Sequence, residues 1–377
     1  LKRRGNTALP FISRSPPPVQ GAAVVISRPC LSALGALPLS LALAAPVIAA
    51  EAPPTWNAAV LTRAEAWYAS PEARRIADNV LRHQSLEGGW PKNTPLGDPP
   101  RLDADPGLAN TFDNQATTLP LAFLARVATA TGDPAYVVAV QRGLDYVLAA
   151  QYPNGGWPQY YPLRGGYHDH VTFNDDAMIR VMRLLRHVAS GRPPYAFIDD
   201  ARRSRAETAV RQGVDLILKT QVRQNGRLTA WCAQYDAQTL APAWARRFEP
   251  PSLSGSESVG VVRFLMEIDH PSPQVTAAIE GALDWFQVSA IHDTRLEDYI
   301  DPEGRPDKRL AAAPGAAPLW ARFYDLATNQ PIYMGRDSVP HGDLAAIERE
   351  RRLGYAYVGE WPAALLRSTR PTGTPVP

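Results

Sequence analysis

Two short segments concentrate side chains that could do chemistry. Thr111 to Thr117 reads TFDNQAT, and Thr172 to Met178 reads TFNDDAM. Each places acidic and amide groups at the expected start of a helix: Asp113 with Asn114, and Asp175 beside Asp176. Capping and dipole compensation explain one such residue per segment, but not two. Carboxylate and amide oxygens are hard ligands suited to Ca²⁺. Asp113, Asp175 and Asp176 are therefore candidate metal ligands, provided the two helices are neighbours. The chain has no EF-hand loop, so such a site would be assembled from separate segments and completed by substrate oxygens.

A second group is cationic. Arg246 and Arg247 lie in ARRFEPPSLSGSES, Arg322 in LWARFYD and Arg336 in MGRDS. Singly, each reads as a surface or structural arginine. Together, in irregular stretches above an acidic pair, they suit a polyanion bearing carboxylates, held through planar bidentate contacts. A third group is the motif Gln-x3-Gly-Gly-Trp-Pro, found at Gln84 and again at Gln151. In a structural reading the glutamine bonds loop backbone, the glycines turn, and Trp90 and Trp157 plug helix junctions. In the alternative the two rings line a groove and stack on sugars. His168 and His170 lack a third partner at zinc spacing. No Ser-His-Asp signature or phosphate-binding glycine loop occurs.

Helices must position these segments. A degenerate third copy of the motif starts at Gln221, so the glutamines recur at about 70 residues. That period predicts an array of helical hairpins, each sending one long loop to the same end. Ser70-Pro71 and Asp133-Pro134 carry helix-start signals. Apolar spacing predicts helices over 71–84, 113–131, 134–151, 174–189, 199–221, 254–268 and 273–291, with short ones at 319–326 and 341–351. Pro120 is expected to kink the second. Segments 85–112, 152–173, 222–253 and 292–317 lack helical pattern and exceed the length of ordinary loops, which marks them as functional. The expected fold is all-α: an (α/α)3 toroid of about three hairpins, its core spanning about 71–352, with small β elements in the loops and a groove across the loop end.

Composition sets the remaining bounds. The chain has 377 residues, 45% of them hydrophobic, enough for one large domain. Residues 1–50 hold five basic residues and no acid, and CLSALGALPLSLALAAPVIAA ends them. This resembles a secretory signal with cleavage near Ala49 or Ala50. The expectation is a secreted or periplasmic protein comprising 51–377, monomeric and without stable membrane association. Without the five, 34 of the 39 Lys and Arg face all 37 Asp and Glu, a net charge of −3. Nothing there suggests nucleic-acid binding. Cys232 alone remains, so no intramolecular disulfide is expected.

The segments GGWPKN, TFDNQAT, GGWPQYYPL, TFNDDAM, AWCAQYD, ARRFEPPSLSGSES and LWARFYDLATNQPIYMGRDS resemble polysaccharide lyase family 10, the pectate lyases. They run in family order from Gly88 to Ser338. The resemblance implies an α/α toroid that cleaves polygalacturonate by Ca²⁺-assisted β-elimination, giving 4,5-unsaturated oligogalacturonates. It implies Asp113, Asn114 and Asp175 at the calcium and substrate site. It makes Arg246, in the AR-x-[YF]-E motif, the base. Arg322 and Arg336 would bind uronate carboxylates, with Lys92 of GGWPKN and Asp236 of AWCAQYD also on the substrate. Gln115 departs from an expected Gly, Tyr235 from an expected His, and Arg247 from a small residue; these could tune subsites or pH optimum. A guanidinium is ordinarily protonated, with a reference value above ~12. Arg246 therefore needs desolvation, nearby cations or alkaline pH to act, and high-pH activity is expected.

Three other readings compete. A uronate-oligosaccharide hydrolase would use Asp113, Asp175 or Asp176 as acid. A terpene cyclase shares Gln…Gly-Trp repeats but needs an Asp-x-Asp-Asp motif that is missing here. A non-catalytic pectin-binding protein would bind without product.

Overall fold

The computed structural model describes residues 56–101 and 110–369; the segment expected to direct export, 1–50, lies outside them. Its frame is helical, with α1 at Pro71–Arg82, α2 at Thr118–Thr131, α3 at Pro134–Ala149, α4 at Ala177–Ala189, α5 at Asp200–Thr220, α6 at Glu257–Met266 and α7 at Pro273–Val288. The odd-numbered helices pack side by side in sequence order, and α2, α4 and α6 form a second row against them. None among the described residues is long and apolar enough to cross a membrane.

The two rows start differently. Ser70, Asp133, Asp199 and Ser272 cap α1, α3, α5 and α7, each accepting a backbone N–H from the first turn. Proline follows at the first position of α1, α3 and α7, where its missing donor costs nothing. By contrast α2, α4 and α6 have no side-chain cap. Capping therefore does not account for the polar residues of TFDNQAT and TFNDDAM. Pro120 falls in the first turn of α2, where no intrahelical acceptor awaits an N–H, so it opens the helix instead of interrupting it.

The recurring glutamines tie the first row together. Gln84 Nε2 donates to the Gly88 carbonyl in its own loop and to Ala139 of α3, both at 2.9 Å. Gln151 does the same to Gly155 and to Ala209 of α5, at 3.0 and 2.9 Å. Gln221 reaches Thr229 and Ala278 of α7, at 2.7 and 2.8 Å. The tryptophans are the plugs of the structural reading. Trp90, Trp157 and Trp231 are wholly buried, and each indole N–H donates to a carbonyl of the preceding helix at 2.8, 2.9 and 2.8 Å. None of them is left to stack on a sugar.

The all-α toroid expected from the sequence is corrected by the strands. Short antiparallel pairs join 171–172 to 234–235, 223–224 to 227–228, and 320–321 to 358–359. A four-stranded sheet runs in the order Pro340–His341, Pro331–Met334, Phe323–Tyr324, Leu253–Ser254. A hairpin pairs Thr294–Ile300 with Pro306–Ala312, Thr294 opposite Ala312. The fold is thus helices with small sheets. Two-residue strands are too short to show a period, and the hairpin is exposed along much of both strands, so it lacks the alternation a half-buried strand displays. The helix expected at 319–326 is two of these strands. The one expected at 341–351 reduces to a single turn at Leu344–Ala346 and α8 at Arg349–Gly354, before α9 at Ala363–Thr369. Phe248, Phe323, Met334 and Tyr357 belong to a second apolar cluster formed around this sheet.

Candidate active site

The uncapped starts of α2, α4 and α6 meet at one cavity of about 500 Å³, lined among others by Asn114, Asp175, Asp176, Glu257 and Arg322. The two repeated segments reach it through the same backbone turn. Asn114 and Gln115 have φ of 49° and 63°; Asp175 and Asp176 have 50° and 58°. Left-handed backbone costs an L-residue roughly 1–2 kcal/mol, least for Asn and Asp. Gln115 has no such tolerance, and it stands where the resemblance leads one to expect glycine. The repeated strain at these positions belongs to the site, not to the helices behind it.

Charge in the cavity is organised around Arg322. Its Nη2 lies 3.2 Å from Asp175 Oδ1 and also pairs with Glu257. Burial disfavours the guanidinium's charge, but Glu257, Tyr355 and Asp175 outweigh it and raise the Arg322 pKa. Glu257 is buried and accepts from Ser254 Oγ as well. Asp175 is exposed; its Oδ2 accepts from Asn174 at 2.8 Å, and Arg180 donates to its carbonyl at 2.6 Å. Burial pushes the Asp176 acid up; Arg180 and Arg183 oppose this, while Glu257 and Asp175 add to it.

Asp113 is placed apart. It is buried, its Oδ2 pairs with Lys92 Nζ at 2.5 Å, and its Oδ1 has no hydrogen-bond partner among the described residues. Lys92 is half-buried; desolvation lowers its pKa but Asp113 more than restores it. Neither residue lines the cavity. Among the described residues no three His, Cys, Asp or Glu side chains gather into a metal cage. Asp113, Asp175 and Asp176 are therefore not brought together. The oxygens of Asn114, Asp175 and Asp176 do share the cavity. That donor set suits a hard cation that takes further oxygens from water or a bound acid.

Arg246 is held by Glu249, which accepts from Nε at 2.8 Å and from Nη2 at 2.5 Å. Burial works against the Glu249 charge, yet the Arg246 bonds prevail and hold its pKa below the usual value. Those same bonds raise Arg246, so the pair rests as an ion pair. Arg247 is exposed, with no hydrogen bond or ion pair among the described residues. Tyr355 joins the two arginine centres. Its ring lies 5.2 Å from the Arg322 guanidinium and 6.0 Å from that of Arg246. Arg336 pairs with Glu350 at 2.6 Å and covers the Phe248 ring from 5.2 Å; Arg246 lies 5.0 Å from that ring. Arg246, Arg322 and Arg336 thus surround one aromatic patch.

Asp236 serves a turn: its Oδ1 accepts from Gln238 N, Thr239 N and Thr239 Oγ1. Asp325 repeats this with Ala327 and Thr328. The two turns belong to a duplicated unit, Trp-x3-Tyr-Asp-x2-Thr, at Trp231 and Trp320. Tyr235 Oη accepts from Cys232 N at 2.7 Å and donates to Thr220 at 2.8 Å. Tyr324 does likewise with Ala321 and Ser289. Tyr235 is buried, so its departure from the family pattern is a core feature and not a subsite change. Sequence reasoning passed over Glu249, Glu257 and Tyr355. The first two lie in the segments ARRFEPP and SGSES, and a carboxylate beside a candidate base is the signal that marks Glu249. Tyr355 had none.

Comparison with known proteins gives a consistent picture. The sequence matches the pectic acid lyase family over residues 84–366. A solved structure described as mutant D189A of family 10 polysaccharide lyase from Cellvibrio cellulosa, in complex with trigalaturonic acid, is 33% identical. The match covers 84% of this chain and 98% of that one, with a TM-score of 0.69. A second, the family 10 polysaccharide lyase from Cellvibrio cellulosa, is 34% identical over 81% of this chain and 93% of its own, also at 0.69. A search of curated proteins returned no match.

Proposed function

Because the chain belongs to the pectic acid lyase family, polysaccharide lyase family 10, we propose that it cleaves polygalacturonate by Ca²⁺-dependent β-elimination outside the cytoplasm, with Arg246 taking the C5 proton. The observation that carries this reading is Tyr355, against which both Arg246 and Arg322 lie. It sets the candidate base one side chain away from the cavity of Asn114, Asp175 and Asp176.

In this reading Arg322 and Arg336 hold uronate carboxylates by bidentate contacts. Asn114, Asp175 and Asp176 would hold Ca²⁺ together with substrate oxygens, and a cation held there would supply charge withdrawal at the uronate carboxylate that makes the C5 proton more acidic. Arg246 starts as a guanidinium fixed by Glu249. It must shed a proton to act, which alkaline pH favours. Its neutral form takes the C5 proton; the bonding pair becomes the C4–C5 double bond, and O4 leaves. Glu249 keeps the guanidine aimed throughout, so little reorganisation is needed when the sugar arrives.

The test is product chemistry. The purified protein, given polygalacturonate at alkaline pH, should generate ultraviolet absorbance from unsaturated ends, and a chelator should stop it. New reducing ends without that absorbance would make the enzyme a hydrolase and end this reading.

A further inference from the structure

The charged surface continues past the reactive cavity. Gln115, Arg180 and Arg183 line it and also line a larger cavity of about 640 Å³. This second space follows α4 from Arg180 to Ser190, with α2 on one side and the end of α6 on the other. The 13 residues of α4 span roughly 20 Å at 1.5 Å each. Arg180, Arg183 and Arg186 recur every three residues on one face of the helix, Arg126 faces them from α2, and Arg192 stands beyond the far end.

These five arginines outnumber the two carboxylates on the same lining. The carboxylates on the lining are Glu267 and Asp269. Glu267 takes both Arg183 and Arg186. Arg180 donates to a backbone carbonyl of Asp175, and Arg126 to that of Ala122 at 2.9 Å. Among the described residues no carboxylate pairs with Arg126, Arg180 or Arg192. Like charges at helical spacing destabilise a helix unless something offsets them. Leu61, Pro193 and Pro194, all at least partly exposed, give the same groove an apolar side, which suits the C–H faces of a sugar.

We infer that this groove is a second binding site for the acidic polysaccharide, taking carboxylates of uronate units remote from the one cleaved. The inference rests on the substrate named above. Because the two cavities share Gln115, Arg180 and Arg183, one polymer chain can occupy both. The second contact is then intramolecular and strengthens long substrates without a new contact at the reactive sugar. Short oligomers cannot span both and gain nothing.

Arg126→Gln with Arg192→Gln tests this, since neither residue lines the reactive cavity. KM for polygalacturonate should rise about 5–10-fold, the scale of losing two solvent-exposed ion contacts, with kcat within about twofold. KM for trigalacturonate should not move. Calorimetric Kd for decagalacturonate should weaken by the same factor, and Arg126→Lys with Arg192→Lys should recover most of it; melting temperature checks folding. Unchanged KM and Kd would overturn the groove. So would an equal loss with trigalacturonate, which would place the two arginines at the reactive sugar. A wild-type protein that binds the decamer but yields no unsaturated product would sink the lyase reading and leave the groove standing.

Discussion

Tyr355 donates its hydroxyl to Glu249 Oε1 at 3.0 Å, the oxygen that also takes Arg246 Nη2. One carboxylate is thereby fixed from two sides, and the arginine it orients is fixed with it. Tyr355→Phe keeps the ring between Arg322 and Arg246 and removes only the hydroxyl. A hydrogen bond to a charged group is worth about 1.5–3 kcal/mol, so denaturant unfolding should show a loss on that scale. The rate constant kcat should fall by several-fold with KM little changed. Wild-type kcat in the variant would mean that Arg246 keeps its aim without the phenol.

Arg246 and Arg247 should respond unequally. Arg246→Lys breaks the two-nitrogen contact with Glu249, because an ammonium cannot reproduce the planar fork. Loss of a positioned base costs on the order of 10²-fold or more in kcat. Arg247 is exposed, and Arg247→Lys should cost less than about 10-fold. Rates of both variants from neutral to strongly alkaline pH check this. The reverse ranking would move the base to Arg247.

Asp175 is best probed with Asn, not Ala, because its φ of 50° is tolerated by Asn. Arg322 keeps Glu257 as partner, so melting temperature should change little. Activity on polygalacturonate should nevertheless collapse, and added Ca²⁺ should no longer stimulate it. Substantial Ca²⁺-stimulated activity would remove Asp175 from the cation site.

Asp307 supplies a pH test of the fold. Hydrogen bonds from Arg352, first, hold its carboxyl at about 2 against an ordinary 3.8. A depressed acid stabilises the folded state above its unfolded value and loses that contribution as pH falls through its folded one. The contribution of Asp307 is therefore complete above 3.8 and fades toward about 2. Unfolding free energies of wild type and Asp307→Asn, compared across that window, should converge as pH drops. A constant gap would show that the carboxyl titrates normally.

The first row of helices was legible because its signals are local: Ser70-Pro71 and Asp133-Pro134 open helices by short-range bonds alone. The glutamine period was legible too, since each copy repeats the same loop. What escaped depended on distance in space. Lys92 draws Asp113 away from the cavity across 21 residues of sequence, and no spacing rule foretells that pairing. Trp320 to Tyr324 looked helical from its apolar content, yet its neighbours across the sheet, Leu253 and Ser254, decide otherwise. Tyr355 acquires its place only once α8 has docked against the Phe248 cluster.

Arg322 spans an exposed carboxylate and a buried one, so its two contacts differ in what releasing them costs. Glu257 cannot let go without stranding a charge in the interior. Asp175 can. A cation taken up at Asp175 would compete with Arg322 for that carboxylate and would free an Nη2 N–H for an anion. Cation uptake and anion uptake are then linked through a single side chain. Such linkage is reciprocal: each should tighten the other by the same factor, and Arg322→Gln, which has no charge to share between the two carboxylates, should uncouple them.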